Sequence, residues 1–175
     1  GDVESVVSES VLTAIEVLGD LGAELVEVEV PTLEGELDTW MDVTTVDAVD
    51  AHRETFPARA EDYGPFADLL NQGLETRPED YARARDRGQQ FSGRLRRVYQ
   101  GIDVIACPSM AILPSPINAD GTGIFPECIP WWKFTIPFNF SRNPTISVPC
   151  GMSADGNPHS LQLIGRHFEE HTIIA

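Results

Sequence analysis

The residue pattern predicts an α/β fold in which helices flank a mixed sheet. Three observations carry that expectation. Apolar residues recur at helical spacing near the start of the chain and again between residues 79 and 100. Short apolar or alternating runs stand between the helical stretches. Gly, Pro and an Asp155-Gly156 pair punctuate them as turns.

The first element is a helix. Val3, Val7, Val11, Ala14, Leu18 and Leu21 fall on one stripe, with Asp2 placed to cap its start and Gly22 to end it. The period then drops to two. Val26, Val28 and Val30 alternate with Glu27 and Glu29 before Pro31, which predicts a strand with one wet face. Residues 36–56 return to helix through Leu37, Trp40, Met41, Thr44, Val46 and Val49. Residues 57–78 carry Pro57, Gly64, Pro65, Gly73 and Pro78, and read as loops around a short helix near Phe66–Leu70.

Residues 79–100 form the strongest helix. Pro78 suits its first turn, and Glu79 and Asp80 complement the positive end of the helix dipole. Tyr81, Ala84, Gly88, Phe91, Leu95 and Val98 make its apolar stripe, and arginines occupy most of the other side. The run Ile102–Pro108 and the run Thr145–Cys150 are apolar enough for strands buried on both faces. Residues 111–130 read as a loop, and residues 131–143 as a short buried helix rich in Trp and Phe. The 154–157 turn joins Thr145–Cys150 to a returning strand at Ser160–Ile164, and Phe168–Ala175 begins another helix. An end inside an apolar stretch without a cap reads as a truncation or as a disordered tail left out.

The chain has 175 residues and a net charge of −16. Residues 1–50 hold no Lys or Arg, whereas seven of the twelve basic residues lie between Arg77 and Arg97. The net sign disfavours nucleic-acid and membrane partners. The arginine row is either an anion-binding face or a solvated helix face, and solvation is the simpler account. Cys107, Cys128 and Cys150 form no C-x-x-C, which argues against structural zinc. Their odd number, with no signal-like leader, points to reduced thiols and a cytoplasmic protein; separately, no cofactor is expected.

Candidate chemistry is sparse. There is no G-x-S-x-G elbow and no Gly-rich phosphate loop. Lys133, the only lysine, lies among aromatics with no serine at a motif spacing. Cys150 could be a nucleophile, but packing as a small hydrophobe is the simpler role. His167 and His171 share a helical i, i+4 spacing that could face a metal, without an obvious third ligand. Asp103 and Asp155 sit at turns, where Asp caps backbone donors. No self-contained active site emerges.

Four blocks nevertheless resemble the amidase-signature family. They are Pro78–Ala84; Asp103–Ser109; Phe134–Phe140 followed by Pro144–Gly151; and Asp155–Pro158 followed by Leu161–Arg166. Their order and spacing are similar to the family's C-terminal region, so residues 1–175 are expected to be a single partial domain lacking the catalytic signature. The resemblance implies hydrolysis of a non-peptide C–N amide bond through a serine acyl-enzyme in the full-length parent, using a Ser–cis-Ser–Lys triad. No triad residue maps onto this chain, which is expected to be inactive alone. It would supply sheet core and one wall of the acyl pocket, with Trp131, Trp132, Thr135 and Phe138 as substrate-binding residues. In glutaminyl-tRNA amidotransferase relatives an acidic residue stands where Trp132 stands here. That implies a bulkier or less polar acyl group than glutamine. The small-molecule amide would bind together with the absent region, and the uncovered core surface would favour homo-oligomers. The alternative is a non-catalytic binding or oligomerisation module built on the same fold.

Overall fold

A computed structural model describes residues 3–114 and 132–174. Helices α1 (Ser5–Asp20), α2 (Glu36–Ala51), α3 (Phe66–Glu75) and α4 (Pro78–Val98) come first. They are followed by β1 (Ile105–Pro108), α5 (Ile136–Ser141), β2 (Thr145–Met152), β3 (Pro158–Ile164) and α6 (Glu170–Ile174). The architecture is the expected α/β one, with helices packed over a small sheet.

α1 ends as its sequence dictates. Gly22 takes φ +105, its N–H donates to Gly19 O at 2.9 Å, and Ala23 N–H reaches back to Leu18 O at 3.0 Å. These are the paired bonds of a Schellman motif, in which glycine meets the left-handed position without a Cβ clash. Val7 and Val11 are the buried residues of the stripe. They meet Leu161 of β3.

The alternating segment at 26–30 departs from expectation, since it joins no ladder among the described residues. Alternation makes a strand only where a second backbone receives its N–H and C=O groups. No described residue offers one, and Leu25 and Val26 stay exposed. The segment is tied down at its end, where Val30 packs on the main core, Leu33 is buried and Arg94 Nη2 donates to Thr32 O at 3.0 Å.

α2 stops at Ala51, and a run of turns replaces the predicted residues 52–56 of that helix. The loop expected at 57–78 contains a 3-10 turn at Ala60–Tyr63, and α3 runs on to Glu75. Gly73, which reads as a breaker, lies within α3 and is buried. A Cβ there would overlap the Thr45 carbonyl of α2, so the glycine serves close helix packing. α4 matches its reading: Pro78 sits at its start, and Ala84, Gly88, Phe91 and Leu95 form its buried face.

The sheet order is β1-β3-β2, and both described ladders are antiparallel. Leu163 of β3 faces Ala106 on one side and Ile146 on the other. A bulge at Pro149/Gly151 shifts the β2 register. β2 was expected to be buried, yet most of it is exposed, including Val148 and Met152. It is an edge strand that meets α1 through Cys150 and Gly151.

The main core joins Leu33, Phe91, Leu95, Tyr99, Ile105, Ile136, Phe138 and Ile164. Tyr99 Oη donates to Ile164 O at 2.9 Å. Burying the ring is thereby compatible with its hydroxyl.

Candidate functional site

The candidate wall is the turn that leads into α5. Residues 132–134 form one 3-10 turn. Trp132 O then accepts from Thr135 N–H at 2.8 Å and from Thr135 Oγ1 at 3.1 Å. Thr135 is the α5 N-cap residue, but its hydroxyl turns back to close the wall and makes no cap bond. Pro137 follows in the first helical turn, where its missing N–H costs no hydrogen bond.

The structure separates the proposed wall residues. Trp132 is partly buried and packs on the main core beside Trp40 and Phe140. Thr135 is also partly exposed, whereas Phe138 is 5% exposed and belongs to the core itself. Phe138 is therefore a core residue and not a surface one. Trp131 lies outside the described residues, as does Cys128.

One anchor escaped the sequence reading. Gln162, on β3 between two leucines, is 5% exposed. Its Nε2 donates to Phe134 O at 2.8 Å and lies 3.6 Å from Cys107 Sγ. The carboxamide thus joins the wall to the sheet. The available signal was a polar residue within the apolar run Leu161–Ile164, whose burial demands a partner.

Glu36, at the first position of α2, was also not singled out. Its Oε1 is buried with no hydrogen-bond partner. Burial raises its carboxyl pKa, and the Lys133 charge opposes that rise. Lys133 Nζ stands 5.1 Å from the Phe134 ring centroid, a cation–π geometry, and no hydrogen bond joins it to a serine among the described residues.

The remaining candidates are not arranged for catalysis. Burial pushes the Cys150 thiol pKa up, and its Sγ lies 3.6 Å from His159 O. Cys107 is pushed up to about 11, chiefly by burial. Both shifts oppose thiolate formation. His167 sits in the turn before α6 while His171 is within it, so the two do not share a helical face. His167 Nε2 instead pairs with Ser141 O at 2.6 Å. Among the described residues, no group of three or more His, Cys, Asp or Glu could hold a metal ion. Asp103 pairs with Arg166 at 3.0 Å.

A serine–histidine contact does occur where no motif marks it. Ser10 Oγ and His159 Nε2 are 2.7 Å apart. A base in a nucleophilic pair needs its second nitrogen oriented by a third group. His159 Nδ1 is instead buried and unpartnered, and the residue is 6% exposed. A Cβ at Gly151 would overlap the His159 ring and Ser10 Oγ, so glycine there permits the contact. The contact ties α1 to β3.

Comparison with known proteins places this geometry in context. The family model described as Amidase matches residues 1–174. A relative named putative amidase AmiD from Mycobacterium bovis is 36% identical over 132 residues, covering 74% of this chain and 28% of the relative. A Pseudomonas putida protein named amidase is 30% identical over 98% of this chain and 38% of its own length. A solved structure titled crystal structure of amidase superposes with TM-score 0.82 at 25% identity, over 100% of this chain and 41% of that one. A 6-aminohexanoate cyclic dimer hydrolase in complex with its substrate shares the fold at TM-score 0.74 and 19% identity, over 98% and 40% of the two chains. The chain therefore spans well under half the length of these relatives.

Proposed function

We propose, from the premise that the chain belongs to the amidase family, that it forms the acyl-side wall and part of the sheet core of an amide hydrolase. In this reading a serine elsewhere in the enzyme attacks the amide carbonyl and the amine leaves. Water then cleaves the resulting ester, releasing the carboxylic acid. The acyl group rests against residues 132–135, with Trp132 and Thr135 at its surface and Phe138 behind. The observation that supports this most directly is the wall's construction. Its main chain is fixed on β3 by Gln162, and it carries a partly exposed tryptophan, Trp132. A surface of that kind suits an apolar or aromatic acyl group.

Alone, the chain is proposed to be catalytically inactive, because no serine–lysine pair forms among its described residues. Incubation with aryl and aliphatic amides and a fluorophosphonate probe tests this. The expected result is neither turnover nor labelling. Reproducible turnover sinks the reading and redirects attention to Ser10, His159 and Cys150. The exposed β2 edge and apolar α1 face are further proposed to drive self-association, which sedimentation would register as species above 19.2 kDa.

A further inference from the structure

A cavity of about 1070 Å³ opens between α2, α4, the end of α5 and the turn before α6. It is separate from the wall, since neither Trp132 nor Thr135 lines it. Trp40 and Phe140 contribute to its lining and contact each other edge to face, with centroids 6.0 Å apart. Gly88 lets Phe140 lie close against α4, where a Cβ would strike the ring.

Three guanidiniums, those of Arg85, Arg96 and Arg142, are part of the same lining. This clustering is selective. Arg53, Arg59, Arg77, Arg83 and Arg166 are held by carboxylates. Arg87 and Arg94 instead reach oxygens of Thr39 and Thr32. Among the described residues, Arg85, Arg96, Arg97 and Arg142 have no ion pair, and three of these four line the cavity, Arg85 also lying over the Tyr81 ring at 5.8 Å. Two carboxylates also line the cavity, Glu170 and Asp47, the latter accepting from Tyr81 Oη at 2.8 Å, so three cations stand against two anions. In a chain of net charge −16, that is a local reversal of sign.

Two non-glycine residues of the lining have left-handed backbone: Arg142 at φ +58, which is the C-cap of α5 with its N–H donating to Phe138 O, and Phe168 at φ +64, which ends no helix. Phe168 is 92% exposed, so no packing in this chain accounts for its conformation. Strained backbone of this sort gathers at binding sites.

We propose that this cavity binds a small amphipathic carboxylate, its apolar part against Trp40, Phe140 and Phe168 and its anion among Arg85, Arg96 and Arg142. Planar guanidinium forks match a carboxylate, and the aromatic lining matches a ring or short alkyl chain. The assignment does not depend on the acyl-wall reading.

Calorimetric titration of the chain with 1-naphthylacetate tests it, with 1-naphthaleneethanol as the uncharged counterpart. The acid should bind saturably, and the alcohol about tenfold or more weaker, as one lost charge-assisted contact implies. The double variant Arg96→Gln/Arg142→Gln should also lose about tenfold in affinity with an unchanged circular dichroism spectrum. Should the double variant lose its fold, Phe168→Ala takes its place with the same expected loss. Absence of saturable binding, equal affinity for acid and alcohol, or undiminished binding by the variant overturns the proposal.

Discussion

The two faces of β3 lie in very different surroundings. One side presents Ile164 and Gln162 to a core closed by α4 and α5, in which Phe91 is wholly out of solvent and Leu95 nearly so. The other presents Leu161 to α1, where the buried cluster reduces to Val7, Val11 and Leu161. Around that second face, Leu12, Val17, Val148 and Met152 remain exposed. A single strand thus borders both a finished interior and an apolar surface of the kind that marks an interaction face.

The contrast can be broken most sharply at Phe91. Phe91→Ala should destabilise the chain by about 3–5 kcal/mol, read as a lowered urea midpoint. A shift no larger than that of Val7→Ala would show that the two sides contribute alike. Next in size is Gly73→Ala. Overlap with the Thr45 carbonyl must displace α3 from α2, at about 1–3 kcal/mol by the same measurement.

A third test uses pH. Folding holds the Cys107 thiol protonated, raising its pKa from 9.0 to about 11, so the folded state binds more protons between those values. That contribution is complete below pH 9 and is lost as pH rises through 11. The folding equilibrium should fall by up to about tenfold per pH unit in this window. Tyr99, also pushed up mainly by burial, acts in the same direction at higher pH. Cys107→Ala should flatten the slope between pH 9 and 11, and an unchanged slope would exclude the thiol as its source.

The smallest effect belongs to the open side. Val148→Thr with Met152→Ser should leave stability within about 0.5 kcal/mol. The same pair should reduce self-association in sedimentation, and a large loss of stability would show that β2 is already packed.

What the sequence revealed follows the same division. The α4 stripe was legible because each of its apolar positions meets another described element. Residues 26–30 carry an equally clear pattern, but pairing depends on a second backbone, which no local pattern specifies. Thr145–Cys150 was expected to be buried because apolar runs usually are, yet exposure of β2 depends on what covers it. Gly73 was misread because the same residue breaks helices and admits close neighbours. At the candidate site, residues 132–135 were singled out only by resemblance, and their role as an acyl wall is a proposal. Gln162 and the Ser10–His159 contact arise from residues brought together across 28 and 149 positions.

Gln162 has one further consequence. β3 is registered twice, with Gln162 opposite Cys107 on one flank and Ser147 on the other. A slip of one residue would turn Leu161 or Leu163 toward Phe134 and carry the carboxamide to the opposite face. The sheet therefore acts as a gauge for the wall: its strand alignment fixes where Trp132 stands. Substitutions along β1 or β2, remote from any bound molecule, can thus move that indole without touching it.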